Sequence, residues 1–276
     1  RGVGMRKIIA MVLAKIMDEG EIMFVKICGV TCEKDISYIE KAKPDFAGVI
    51  LFFPKSKRNI SLSRAKKLKG EMPEGIETVA VCVSPSLEQV LDIRDAGFSY
   101  IQIHGKLSVE VLDTLDKMGH PERMEVPDMR KLKVIRAYNK VEEEELAEIE
   151  KLRERDEVFA FLFDAKEPGS GVTFDWTQIP DQDFLKKPYF LSGGLNPGNV
   201  YDAVRKAKPD GVDASSGVEL SVADASFLAN LMGVSSLVDD SLYGEGHCRQ
   251  SDLSMKDMDK IQVFVEKARK AANTFA

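Results

Sequence analysis

A thiol, a carboxylic acid and two glycine-containing turns are the groups in this chain whose types and placement could do chemistry. The thiol is Cys28, which closes the apolar run Phe24-Val-Lys-Ile-Cys-Gly29 where a glycine forces a turn. Buried cysteine is most often a small core hydrophobe. At the C-terminal mouth of a first strand, however, it stands where α/β folds do chemistry. The acid is Asp164, which follows the apolar run Val158-Phe-Ala-Phe-Leu-Phe163. A thiolate is a competent base and a protonated carboxylic acid a competent proton donor. Two such groups flanking a substrate can shuttle protons in an isomerisation without a cofactor. Each needs tuning: nearby positive charge, such as Lys26 or a bound cationic intermediate, would favour the Cys28 thiolate, and apolar surroundings from Phe161 and Phe163 would favour protonated Asp164.

The turns are Ser192-Gly193-Gly194 and Ser215-Ser216-Gly217, whose exposed backbone N–H groups would bind a phosphate. Other polar groups fall at strand ends: Lys55, Lys57 and Arg58 in one loop, Gln102 and His104, Arg136, and Asp213. Each has a plainer explanation. His104 reads equally as a hydrogen-bonded histidine, Arg136 as a partner for a carboxylate, Asp164 as a loop cap, and the lysines with Arg58 as a solvated cluster. Their common position at strand ends is what points to a site.

The elements that must position them alternate. Strand-like runs are Phe24–Gly29, Phe46–Phe52, Ile76–Val83, Tyr100–His104, Leu132–Tyr138, Val158–Asp164, Tyr189–Ser192 and Gly211–Ala214. Helical patterns lie between them: Glu33–Lys41, Ser61–Lys69 with serine at the cap, Pro85–Ala96, Ser108–Met118, the charged Val141–Arg155, a short piece in Trp176–Phe184, Pro197–Lys206 and Lys256–Ala272. Gly119–Lys131 and Glu167–Gly171 read as loops. Near-continuous apolar strands alternating with helices imply a parallel sheet covered on both faces. Eight units favour a closed (β/α)8 TIM barrel over an open doubly wound sheet. No G-x-G-x-x-G follows the first strand, so a dinucleotide fold lacks support.

Composition agrees with one barrel-sized domain or two small ones: 276 residues, 44% hydrophobic and 30% charged. A net charge of -6 argues against non-specific nucleic-acid binding. The cysteines Cys28, Cys32, Cys82 and Cys248 form no CxxC pair and no disulfide framework, so a reducing, cytoplasmic compartment is expected, without a metal. No apolar run reaches membrane-spanning length. Ile8–Met17 follows Arg6-Lys7 in the manner of a signal peptide, but Lys15 interrupts it and Asp18-Glu19 replace a cleavage site. It reads as an amphipathic helix, and residues 1-22 as an N-terminal extension of a barrel spanning 23-276. Residues 222-254 read as an insertion before the last helix, helical and then polar and mobile. It is a species-specific addition, a lid or an oligomer contact.

Six motifs occur together: Val25-Lys-Ile-Cys-Gly-Val-Thr31, Phe53-Pro-Lys-Ser-Lys-Arg-Asn-Ile-Ser61, Ile101-Gln-Ile-His-Gly105, Phe163-Asp164 with Gly169-Ser-Gly-Val-Thr-Phe-Asp-Trp176, Leu191-Ser-Gly-Gly-Leu-Asn-Pro197 and Val212-Asp-Ala-Ser-Ser-Gly-Val-Glu219. In this order they resemble the phosphoribosylanthranilate isomerase family over residues 24-219 and the last helix. The resemblance implies a (β/α)8 barrel of tryptophan biosynthesis. Its reaction is the Amadori rearrangement of N-(5-phosphoribosyl)anthranilate to 1-(2-carboxyphenylamino)-1-deoxyribulose 5-phosphate. By motif, Cys28 is the base that removes the C2 proton and Asp164 the acid that opens the furanose ring. Arg58 pairs with the anthranilate carboxylate, and Asp213 contacts the ribose hydroxyls. Gly193, Gly194, Ser216 and Gly217 hold the phosphate, while Gln102 and His104 line the pocket. No cofactor is implied, and the chain works as a monomer or homodimer. Val172 stands where the family often has lysine, and the insertion after Glu219 is atypical. Two other readings compete. The histidine-pathway isomerase would place an aspartate at Cys28 and show two half-barrels. A phosphate-binding scaffold would need neither proton-transfer group.

Overall fold

The computed structural model describes residues 23–119, 132–164, 178–221 and 255–274. The strands are β1 (Phe24–Cys28), β2 (Phe46–Ile50), β3 (Glu77–Val83), β4 (Tyr100–His104), β5 (Lys133–Tyr138), β6 (Val158–Phe163), β7 (Tyr189–Leu191) and β8 (Gly211–Ala214). They pair in parallel in chain order and close into a barrel, β8 returning to β1. The helices α1 (Glu33–Ala42), α2 (Leu62–Glu71), α3 (Leu87–Asp95), α4 (Val109–Gly119), α5 (Glu143–Leu152), α6 (Gln182–Leu185), α7 (Val200–Ala207) and α8 (Met258–Ala272) each follow the like-numbered strand. This is the (β/α)8 architecture that the alternating pattern predicts.

Successive strand residues face opposite sides of a sheet. One set, including Val25, Ile27, Val49, Ile101 and Val134, packs outward in the main core with α-helical residues such as Ile39, Leu68 and Phe264. The other set points inward. Phe24, Phe46, Tyr100 and Phe190, with Phe159, close the N-terminal end of the barrel, their ring centroids 5.3 to 6.0 Å apart. That plug leaves the C-terminal mouth as the open end, where the polar strand ends collect. Gly211 is required by the plug: a Cβ there would lie 2.6 Å from the Phe190 ring and 2.9 Å from Phe24 Cβ.

Caps set the helix starts. Ser61 accepts from the Arg64 N–H, Ser86 and Gln89 form a capping box, and Asp257 accepts from the Lys260 N–H. Some boundaries differ from the sequence reading. β2 stops at Ile50 because Phe52 takes a φ of +57°, which leaves the ladder. α7 begins at Val200, since Asn196 and Asn199 side chains bind the backbone N–H groups of Gly198 and Asn196 and hold 196–199 as a turn. α8 begins after Lys256, which is drawn into a bridge with Glu219 instead. The expectations for residues 1-22, the loops within 120–131 and 165–177, Trp176, Val172 and the 222-254 insertion lie outside the described residues. Among the described residues no helix is long and apolar enough to cross a membrane.

Overpacking a filled interior costs about 1–3 kcal/mol. Gly211→Ala is therefore expected to lower stability by about that amount, read as a lower midpoint in urea unfolding.

Candidate active site

The alternation that turns Phe24 inward also turns Lys26 and Cys28 inward. Lys26 has 0% of its surface exposed, a costly place for a charge unless it is paired. Its partner is Asp213, level with it on β8, at 2.9 Å from Nζ to Oδ1. Cys28 stands one step further toward the mouth, opposite Gly48 of β2. A Cβ on Gly48 would lie 2.9 Å from Cys28 Sγ and 3.2 Å from Lys26 Nζ, so the glycine makes room for ammonium and thiol side by side. Burial pushes the Cys28 thiol up, and Asp213 adds to this; Lys26, Lys256 and Arg58 pull it down without prevailing. Lys26 thus favours the thiolate as expected, and burial outweighs it. For Lys26 itself burial favours the neutral amine, yet Asp213 and Cys28 outweigh it and raise its proton affinity.

Arg58, in the loop after β2, crosses the turn that follows Cys28. Gly29 there has φ +84°, and a Cβ on it would meet Arg58 Cδ at 2.4 Å. The guanidinium grips the Glu219 carboxylate with two N–H donors, Nε at 2.5 Å and Nη2 at 2.9 Å. Glu219 also takes Lys256 at 3.0 Å. Burial alone would raise the Glu219 carboxyl, but Arg58 and Lys256 hold it below the usual carboxylate range. The Lys256 ammonium is lowered by burial, with Glu219 opposing. Backbone bonds from Leu220 to Met255 and from Asp257 to Val218 tie the chain together around this pair. The sequence reading missed Glu219 and Lys256 as members of the site. Glu219 closes one of the six motifs, which was the available signal.

Gln102 and His104 both lie on the inward face of β4, joined at 2.7 Å between Nε2 atoms. His104 is pushed down to about 4 by burial and by the charges of Lys26 and Arg136, so its ring is neutral near pH 7. Gln102 is 2% exposed, and its Oε1 has no hydrogen-bond partner among the described residues. A buried polar atom left so is an acceptor waiting for a water or a ligand. Arg136 does not join the mouth. On β5 it is Ile135 and Ala137 that belong to the barrel interior, and Arg136 turns outward to Glu148 of α5 and the carbonyls of Ile103, Gly105 and Ala137. The structural alternative for it is the correct one.

Asp164 directly follows β6, its N–H bonded to the Tyr138 carbonyl at 2.9 Å, and it is partly exposed. It continues the inward series of Ala160 and Leu162. Phe161 and Phe163 face the other way, into a cluster with Tyr138, Ile149 and Leu185. They therefore do not surround the carboxyl as the sequence reading supposed. Beyond β7, Gly193 and Gly194 take φ of +84° and +68°, and no described residue accepts a hydrogen bond from their N–H groups. The Ser216–Val218 turn of 3-10 helix packs against this loop; a Cβ on Gly217 would sit 2.0 Å from the Leu195 carbonyl oxygen. Among the described residues no group of three or more His, Cys, Asp or Glu could hold a metal ion.

A closed (β/α)8 barrel with a thiol, a carboxyl group, an arginine and two adjoining backbone turns at its C-terminal mouth has the groups that acid–base chemistry on an anionic substrate needs. The family model described as N-(5'phosphoribosyl)anthranilate (PRA) isomerase matches residues 25–231, and the chain belongs to that family. Curated isomerases of this name from Petrotoga mobilis and Acetivibrio thermocellus are 35% and 36% identical, the alignments covering 71% of this chain and 87% of each relative. The solved isomerase from Thermotoga maritima superposes with TM-score 0.65 at 29% identity, covering 90% of this chain and all of that one. Another solved isomerase, at TM-score 0.63 and 27% identity with the same coverage, holds reduced 1-(o-carboxyphenylamino)-1-deoxyribulose 5-phosphate. The chain is an isomerase of tryptophan biosynthesis.

Removing one member of a buried ion cluster costs about 3–5 kcal/mol, because its partners are left charged and unpaired. Glu219→Gln is expected to destabilise the protein by about the lower figure in urea unfolding, and to raise KM by releasing Arg58.

Proposed function

We propose that Cys28 and Asp164 carry the two proton transfers by which this barrel isomerises N-(5-phosphoribosyl)anthranilate. The observation that carries the assignment is their placement at the mouth ends of β1 and β6, each in its strand's inward series. Asp164 gives its proton to the furanose ring oxygen as the C1–O bond breaks, and the anilino nitrogen supplies the electrons, leaving an iminium. Cys28, as thiolate, then takes the C2 proton, and the C2–H electron pair neutralises the iminium to an enolamine. Tautomerisation of the enolamine gives the ketose product.

The resting thiol fits this order. Burial favours the protonated thiol, so that proton must pass to solvent before Cys28 can accept another. A cationic intermediate beside it favours the thiolate. Arg58 takes the anthranilate carboxylate while Glu219 fixes the plane of its guanidinium. Asp213 receives the ribose hydroxyls, and Gln102 and His104 line the pocket as neutral hydrogen-bonding groups. The N–H groups of Gly193, Gly194, Ser216 and Gly217 hold the phosphate, as oriented backbone amides can. The reading includes a cytoplasmic enzyme, since Cys28, Cys32 and Cys82 are free thiols. It works as a monomer or homodimer, a solved relative from Thermotoga maritima being described as dimeric.

The test is the fluorescence decay of freshly generated phosphoribosylanthranilate. Cys28→Ser and Asp164→Asn should each lower kcat by about 10²–10⁴, with far smaller losses in product binding. The double variant should abolish enzyme-dependent decay. Equal losses in turnover and product binding in Cys28→Ser would remove the base from this account. Arg58→Ala should chiefly raise KM, and an unchanged KM would count against its role.

A further inference from the structure

Lys26 takes no part in the proton transfers assigned above, yet it occupies the interior of the barrel. A buried ion pair is weak support for stability, because two well-packed apolar residues in its place often do as well or better. The Lys26–Asp213 pair therefore asks for a second explanation. The geometry offers one. The ammonium is fixed at 2.9 Å by Asp213, and both it and the Cys28 sulfur border the space that Gly48 leaves empty, at 3.2 and 2.9 Å from where a Cβ would be.

We infer that Lys26 is a positioning residue for the base: held by Asp213, its ammonium is the counter-charge that lets the buried Cys28 thiol become a thiolate. The inference rests on the reading of Cys28 as the base. The groups that face Cys28 are Lys26 on its own strand, Asp213 from β8, Lys256 from the approach to α8 and Arg58 from the loop after β2. His104 on β4 faces Lys26 as a neutral ring. Arg58 and Lys256 both spend their charge on Glu219. Lys26 is the cation with the largest favourable effect on the thiolate, and Asp213 only partly offsets it. Gly48 puts no side chain of its own between the two.

The sign is fixed. A base acts only when deprotonated, so activity falls below its pKa. Removing Lys26 raises that pKa and moves the acid limb of the kcat/KM profile to higher pH. The thiol is read independently by the pH dependence of iodoacetamide alkylation at Cys28, followed by peptide mass mapping in a Cys248→Ser background. Cys32 and Cys82 are pushed up to about 11 and about 12, and the peptide map reads their alkylation separately from that of Cys28. In Lys26→Met the alkylation midpoint and the acid limb should rise together by about one pH unit or more, the shift that one adjacent opposite charge produces. Lys26→Arg, which keeps the charge, should recover most of it. Should Lys26→Met fail to fold, Lys26→Met with Asp213→Asn leaves neither ion alone, and its alkylation midpoint should rise by less. An unmoved midpoint in a folded variant, or an arginine variant as impaired as the methionine one with an unmoved limb, overturns the inference. If Cys28→Ser turns over normally, the base assignment fails, while the alkylation midpoint still reports what Lys26 does to the thiol.

Discussion

The pairing of β8 with β1 sets Lys26 level with Asp213, and the mouth is built on that register. Side chains alternate along a strand, so a slip of one residue would turn Lys26 out of the barrel and bring Ile27 in. The ion pair opposes such a slip from within, since a lone ammonium in the aromatic-plugged interior would be a bare buried charge. In the observed register Cys28 follows at the rim, and Gly29 turns under Arg58. Closure of the barrel and construction of the site are thus one event: the last strand must arrive before the first has its counter-ion.

A second set of charges lies around the thiol and joins parts of the chain far apart in sequence. Glu219 follows β8, Arg58 follows β2, and Lys256 precedes α8. Two cations share one carboxylate, so the cluster carries net positive charge toward the mouth, which suits an anionic substrate. Asp213 and Lys26 cancel one another deeper in. The Lys26–Asp213 pair is therefore balanced at the floor, the Arg58–Glu219–Lys256 cluster lies nearer the rim, and Gln102 and His104 add neutral groups to the same interior.

The strands and their order were legible because β1 and β6 are largely apolar runs of strand length and helical patterns separate the strands, one of them starting at the Ser61 cap. The candidate site residues stood out through six motifs. Misreadings came from parity. Arg136 and Phe163 sit near the mouth in sequence, but their positions in the two-residue repeat face the helix layer. Counting from Ala137 and from Leu162 would have shown this. Glu219 and Lys256 meet across 37 positions of chain, a distance that no local pattern spans. The protonated resting thiol was not legible either. A sequence shows that Lys26 is near Cys28, but not that both lie where burial outweighs an adjacent cation.

That balance explains why a thiol suits this position. Asp213 is already an anion beside Lys26, and a carboxylate in place of Cys28 would add a second one in the same enclosed space, with a single lysine between them. Two carboxylates so placed push one another toward protonation. A thiol avoids the conflict, because burial favours its neutral form and the Lys26–Asp213 pair stays balanced. On the proposed mechanism its proton leaves for solvent, and the positive charge of the iminium then favours the thiolate. On the reading of Cys28 as the base, its anion is favoured most beside the iminium, which concentrates stabilisation on the transition state rather than on the bound substrate.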